Sequence, residues 1–296
     1  LRLALARNWR EGRATRHRLL GHADNVYCIQ LAGDVVVSGS RDQTVCFWDL
    51  RTMQAVRRLT GHTGSVLCLQ FNTRCLVTGS SDQTVIVWDL MGRRLRTLRG
   101  HTGAVLDVRI NDECVVSCSK DHTLVVWDIA TGEIRHQLIG HTAAVNAVCL
   151  HGNRAVSASG DCLLKLWDIE TGACLRDYAG HHNGLACVQY DGEIIVSGSN
   201  DKTLRIWDAA SGALLHTLEG HTALVRTLCF DAEHIVSGSY DHSIKVWDRQ
   251  TGALLHDFPR AHRLPVFQVM LDATRIVSCG QDRAVVVWDF AKPADL

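Results

Sequence analysis

The dipeptide Trp-Asp occurs seven times, at Trp48, Trp88, Trp127, Trp167, Trp207, Trp247 and Trp288, with spacings of 39 to 41 residues. A period this regular constrains the fold more than any composition figure. A unit of about 40 residues cannot bury its own apolar face and must stack on copies of itself. Ahead of each Trp-Asp lies a Gly-His pair, with histidines at His22, His62, His101, His141, His181 and His221, replaced in the last unit by Ala261-His262. At about 150 residues per domain, a chain of 296 would divide in two, yet no boundary interrupts the period. One domain built from seven units follows.

Four short strands can be read in each unit. In the second they run from Ser65 to Phe71, Cys75 to Ser80, Val85 to Asp89 and Arg94 to Leu98, and are called a, b, c and d in every unit. Strands b and c carry continuous apolar runs such as Val35-Val36-Val37 and Val285-Val286-Val287, as expected of sheets covered on both faces. The d strands are more polar and belong at the wet outer edge. Thr131-Gly132, Thr171-Gly172, Ser211-Gly212 and Thr251-Gly252 place a glycine where the c–d hairpin needs a positive φ. With its Gly-His and Trp-Asp landmarks, the chain resembles the WD40-repeat proteins, which implies an all-β, seven-bladed WD40 β-propeller.

The chain ends make sense on this plan. After Trp288 and Phe290 the last blade lacks a strand d, whereas Ala14 to Leu20, ahead of the first Gly-His, fits the d pattern. The N-terminal strand is therefore expected to complete the last blade and close the ring. Residues 1–13 are expected to form a helical linker from a missing upstream domain, 14–290 the propeller and 291–296 a C-terminal tail. The first residue is not methionine, which suggests a fragment.

Lysine plus arginine balances aspartate plus glutamate, 31 against 31, so the chain lacks the basic excess that drives nonspecific nucleic-acid binding. The 12 cysteines contain no Cys-x-x-Cys, and Cys28, Cys68, Cys149, Cys187 and Cys229 read as recurring at the same point of a hydrophobic strand in different repeats. They read as small buried apolar residues in a reducing compartment, cytoplasmic and/or nuclear, with no metal or other cofactor. Neither a signal peptide nor an apolar run of spanning length is present, so no membrane partner is expected.

Each repeat also carries a His, a Ser or Thr, an Asp and the Trp at matching positions, as in His22, Ser38, Asp42 and Trp48. Indole donates, hydroxyl does both, neutral imidazole accepts at one nitrogen and donates at the other, and carboxylate accepts, so the four can satisfy one another in sequence. Ser, His and Asp together invite a hydrolase reading. The set occurs once per blade, its hydroxyl sits on a buried strand beside Trp, and no glycine-flanked nucleophile elbow accompanies it, so no enzyme is expected.

The turn between strands a and b is shortened to forms such as Phe230-Asp231-Ala232-Glu233-His234. This compact repeat is similar to that of F-box/WD proteins, and most like the beta-transducin-repeat-containing (β-TrCP) group with its fungal sulphur-regulator relatives. The resemblance runs from Asn8 to Phe290. It rests on Asn8-Trp9-Arg10, Val26-Tyr27-Cys28-Ile29-Gln30 with Ser40-Arg41-Asp42, and Leu224-Val225-Arg226 with Ser239-Tyr240-Asp241. Ala143-Ala144-Val145-Asn146, Ser157-Ala158-Ser159-Gly160-Asp161 and Ser117-Cys118-Ser119-Lys120-Asp121 extend it. The resemblance implies an F-box ahead of Leu1 that docks onto an SCF-type ubiquitin ligase core, and a propeller that binds a phosphorylated degron of a protein substrate. A general WD40 interaction scaffold without a ligase role is the alternative.

Residues three and five after the repeat histidine, and the residue before the repeat aspartate, are expected to face the mouth of the central channel. These 21 positions hold three cations, Arg41, Lys120 and Arg226, and no carboxylate. Arginines suit bidentate capture of phosphate, with hydroxyls from Ser65, Ser81, Tyr27 and Tyr240 as further donors. By resemblance, Tyr27, Arg41, Ser65, Ser81, Asn146, Gly184, Arg226 and Tyr240 fall on degron-contacting positions, and Lys120 is a further candidate. Asn183 stands where the β-TrCP group has an arginine.

Overall fold

The computed structural model describes residues 2–291. Seven four-stranded antiparallel sheets are arranged so that consecutive strands are neighbours in every sheet but one. Blade 1 runs Val26–Ala32, Val35–Ser40, Thr44–Asp49 and Gln54–Thr60 as strands a to d, and blades 2 to 6 repeat the scheme. The fold is the expected seven-bladed WD40 propeller. Each blade is apolar on both faces, so the core is divided into layers between neighbouring blades. Between blades 1 and 2, for example, Cys28, Val37, Val45 and Leu59 pack on Val66, Leu69, Leu76, Ile86 and Trp88.

The exceptional sheet is the seam. Blade 7 takes strands a to c from Val266–Leu271, Arg275–Gly280 and Ala284–Asp289, and its strand d is Thr15–Leu20 from the N-terminal end. The register runs without interruption from Thr15↔Asp289 to Leu20↔Ala284. In the other blades the c–d pairing slips at the tryptophan, as between Val126 and Trp127. The unslipped clasp brings Arg16 over the Trp288 ring, 4.8 Å from its centroid, and the bond from Trp288 Nε1 to Ser278 Oγ stretches to 3.3 Å.

Residues Arg2–Glu11 form helix α1, as the sequence suggests, but the helix is docked rather than a loose spacer. Trp9 is buried, stacked 4.0 Å from Phe290 and 5.1 Å from His234, and its Nε1 donates to the Ala273 carbonyl at 3.0 Å. Asn8 Nδ2 donates to the Phe290 carbonyl at 2.8 Å. Gly12 ends the helix at φ 66° and lies against His256, as Gly172 of a c–d turn lies against His136 of the preceding blade. The helix terminus thus replaces the hairpin turn that blade 7 lacks. Of the tail assigned to 291–296, only Ala291 falls within the described residues.

All seven polar sets are assembled. In blade 4, Trp167 Nε1 donates to Ser157 Oγ at 2.8 Å, Ser157 Oγ and His141 Nε2 are 2.7 Å apart, and His141 Nδ1 and Asp161 Oδ2 are 2.8 Å apart. The chemistry fits a relay in which indole donates to hydroxyl, hydroxyl to imidazole and imidazole to carboxylate. Trp167→Phe removes the first donor beside a fully buried hydroxyl and is expected to lower stability by about 1–3 kcal/mol. Thermal melting checks this, and an unchanged melting curve means the relay carries no stability.

Candidate functional site

Strand a supplies the channel lining, and its geometry explains which residues reach the mouth. In every blade the a–b register shifts around one residue: Tyr27, Leu67, Leu106, Asn146, Ala186, Arg226 or Phe267. A β-bulge re-aims a side chain that a regular strand would point into the sheet. These are the residues five positions after the repeat histidine.

The bulges leave a depression at the mouth that is lopsided. It is lined by Tyr27, Leu67, Leu106, Arg226, Tyr240 and Phe267, with Asn25 and Gln281 at its edge. Tyr27 and Phe267 lie 5.2 Å apart at 31°, and Tyr240 meets Phe267 edge-on at 6.0 Å, forming an aromatic arc across blades 6, 7 and 1. Arg226 is half-buried inside that arc, and its Nη1 donates to the Ala186 carbonyl at 3.3 Å, which leans the guanidinium toward blade 5. Blades 4 and 5 form a low wall. A side chain on Gly184 would sit 3.0 Å from the Gly160 Cα, so the two loops touch through backbone.

The expected site residues therefore separate. Tyr27, Arg226 and Tyr240 come together in the depression, whereas Asn146 lines the channel below and donates from Nδ2 to the Leu185 carbonyl at 2.7 Å. Arg41, Ser65, Ser81, Lys120 and Gly184 lie outside the lining, on the surrounding loops. Arg41 is 58% exposed and faces Asp24 at 3.7 Å. Ser81 Oγ accepts from the Ser65 N–H at 2.8 Å. Lys120 is exposed, and its backbone N–H donates to the Ala104 carbonyl at 2.9 Å.

One charged group escaped the sequence reasoning. Asp107, six residues after His101, lines the channel beneath the mouth with Arg226 and Arg109. It pairs with Arg109 Nη1 at 2.6 Å and accepts from the Val108 and Val148 N–H groups at 2.9 and 3.1 Å. Burial pushes its carboxyl up, against the opposing pull of Arg109. Its position was signalled in the sequence: five of the seven equivalent residues are Cys28, Cys68, Ala147, Cys187 and Thr227, so Asp107 and Gln268 stand out. Gln268 accepts the Ile29 N–H at 2.7 Å, and Thr227 the Val269 N–H at 3.1 Å, so this ring staples neighbouring blades. The strand-a cysteines occupy two positions rather than one, with Cys28, Cys68 and Cys187 in the ring and Cys149 and Cys229 two residues further on.

The WD domain, G-beta repeat family model matches residues 14–49, 53–89, 92–128, 132–168, 172–208 and 212–248. The chain belongs to the WD40-repeat family. Blade 7, which begins with Ala261-His262 and closes through the N-terminal strand, lies beyond the last of these segments yet has the same four strands. As a WD40 propeller, the chain has the form of a protein-interaction module.

Individual relatives add a narrower signal. A 49-residue stretch, 17% of this chain, is 47% identical to the F-box/WD repeat-containing protein pof1 of Schizosaccharomyces pombe and covers 8% of it. A 56-residue stretch, 19% of this chain, is 34% identical to a probable E3 ubiquitin ligase complex SCF subunit sconB of Arthroderma benhamiae, again covering 8%. Among solved structures, the computationally designed Ika8 protein superposes with a TM-score of 0.77 at 38% identity, over 91% of this chain and 85% of that one.

The described residues contain no group of three or more His, Cys, Asp or Glu placed to hold a metal ion. Every cysteine is free, and burial pushes the Cys28, Cys68 and Cys118 thiols well above the usual range, which leaves them poor nucleophiles. No helix of the described residues is long and apolar enough to cross a membrane. The mouth itself offers hydrogen-bond donors, one partly buried guanidinium and an aromatic wall. That inventory suits binding.

Proposed function

We propose that this propeller is the substrate-recognition module of an SCF-type E3 ubiquitin ligase, and that its mouth takes an acidic, phosphorylated degron. The observation that carries the reading is Arg226, a guanidinium set among Tyr27, Tyr240 and Phe267 in a chain of zero net charge. Partial burial strengthens a charge-assisted bond to phosphate, and the tyrosine hydroxyls add donors beside it. The aromatic arc supplies the apolar anchor on which interface energy concentrates. The ligase half of the proposal draws on the β-TrCP-like residues and on the two fungal relatives, an F-box/WD repeat-containing protein and a probable SCF subunit. It places an F-box ahead of Leu1, α1 as the linker to it, and the protein in the cytoplasm or nucleus.

Titration with one peptide in phosphorylated and unphosphorylated forms tests the recognition step. Arg226→Ala is expected to cost about 1.5–3 kcal/mol, roughly a tenfold to hundredfold loss of affinity for the phosphorylated form. Arg41→Ala is expected to cost under about 1 kcal/mol, because the side chain is exposed and already faces Asp24. Arg205, on strand c of blade 5 with its guanidinium against Gly180, is the control, and alanine there is expected to leave binding unchanged. Equal affinity for both peptide forms rejects the phosphodegron. Co-purification of the SCF core with the full-length protein tests the ligase step, and phosphopeptide binding without it leaves an interaction scaffold.

A further inference from the structure

We propose that the outer edge of blade 2 is a second docking surface, which takes an acidic polypeptide segment as an added strand. Strand d of this blade, Arg94–Arg99, is the last in its sheet, so the backbone groups along its outer side have no partner strand. Its sequence is Arg-Leu-Arg-Thr-Leu-Arg. Arg93, just ahead, is paired with Asp89 at 2.6 Å, but among the described residues Arg94, Arg96 and Arg99 have no carboxylate within ion-pair reach. Arg94 and Arg99 are exposed and Arg96 is half-buried.

The charge is concentrated here rather than spread around the ring. The adjoining edge strand of blade 1 adds exposed Arg57, which donates to the Leu90 carbonyl, whereas its Arg58 donates to the Gly21 carbonyl and faces Asp42 at 3.9 Å. Arg18 of blade 7 is neutralised by Asp282 at 3.1 Å. On the far side, the edge strands of blades 5 and 6, Leu214–Leu218 and Leu254–Phe258, carry no arginine or lysine. A molecule with balanced charge has therefore gathered unpaired arginines on one free strand edge.

Arginine on an edge strand discourages apolar and basic strands from adding to it. An acidic strand is the exception, because it replaces repulsion with cross-strand ion pairs. The pairing slips at Leu95, with Arg94 opposite Trp88 and Arg96 opposite Val87, so Arg96 turns toward blade 3 while Arg94 and Arg99, opposite Trp88 and Thr84, share the other face at roughly 13 Å, the spacing of every fourth residue in an extended peptide. The backbone decides between polyanions. Phosphates offer only acceptors and leave the edge carbonyls of Arg94–Arg99 unsatisfied, whereas a peptide supplies N–H groups to them. Leu95 at 50% exposed and Met91 at 71% place apolar surface alongside, which fits an acidic segment interrupted by apolar residues.

The test is a titration of the whole chain with a synthetic peptide of alternating glutamate and valine, free of phosphate. Binding is expected, weakening with added salt, and to fall at least about tenfold in the triple variant Arg94→Glu, Arg96→Glu, Arg99→Glu. Arg226→Ala is expected to leave it unchanged, which separates this edge from the mouth. The milder pair Arg94→Ala, Arg99→Ala changes only exposed side chains, and with normal melting it must weaken binding too. N-methylation of the peptide along one edge removes its donors and is expected to abolish binding. No binding, indifference to both sets of variants, tight binding of the N-methylated peptide, or equal binding by a single-stranded oligonucleotide of the same charge overturns the proposal.

Discussion

Removal of residues 1–20 is expected to unfold the ring at ambient temperature. The deletion strips strand d from blade 7, with its six paired residues, and removes two buried side chains, Leu19, which is 2% exposed, and Trp9. Emptying a buried leucine site costs about 2–5 kcal/mol and a tryptophan site about 3–5. Their sum, before any strand pairing is counted, reaches the whole stability of a typical domain at about 5–15 kcal/mol. Removal of residues 1–13 alone is expected to be far milder than this but not neutral, because it takes out two docked side chains. Trp9 belongs to the core layer between blades 6 and 7, and Asn8 bonds the last strand's exit at Phe290. The shorter deletion, and Trp9→Ala by itself, are expected to lower the melting temperature clearly while leaving a folded ring. A 20-residue deletion that melts with the intact chain means that the clasp does not hold the propeller closed.

The contrast between these two deletions shows where sequence reasoning reaches. Features repeated once per blade were legible because seven copies of a signal reinforce one another: the strand order, the polar sets and the glycine turns. The clasp was legible as well, since a missing strand d at one end and a spare one at the other leave one arrangement. The docking of α1 was not. Its partners Ala273 and Phe290 lie 264 and 282 residues from Trp9 and Asn8, and no local pattern links them. Asp107 was hidden for the opposite reason. Periodicity directs attention to what the repeats share, and a lone carboxylate at a position held mainly by Cys, Ala and Thr is visible only as an exception. The residues five positions after each repeat histidine all line the channel, but the sequence does not say that Arg226 lies inside the depression at the mouth, Asn146 below it and Arg41 outside it.

The same repeated sets make stability fall with acid, in two stages. Burial holds the imidazoles of His22, His62, His101, His141 and His181 below the ordinary histidine range, despite the carboxylate beside each. Their neutral form is favoured in the folded state, so the unfolded chain binds protons first. The stability this contributes is complete above a pH of about 6.5 and is lost as pH falls below it, by about 1.4 kcal/mol per pH unit for each group until its folded pKa is reached. The carboxylates follow. Burial alone would raise them, but bonds from the imidazole, a backbone N–H and a threonine hydroxyl, replaced at Asp282 by the charge of Arg18, outweigh it, and Asp42, Asp82, Asp201 and Asp282 are held at about 2. Their contribution is present above about 3.8 and disappears as pH drops toward 2. His234 runs the other way, since Asp231 raises it, so its contribution is present below about 6.5 and is lost as pH rises through its folded value. Five imidazoles against one set the direction. The melting temperature is expected to decline from pH 7 to pH 5 and to drop steeply below pH 4. A flat melting temperature down to pH 4 requires the relay histidines to be charged in the folded ring, and with it the donor order from indole to carboxylate fails.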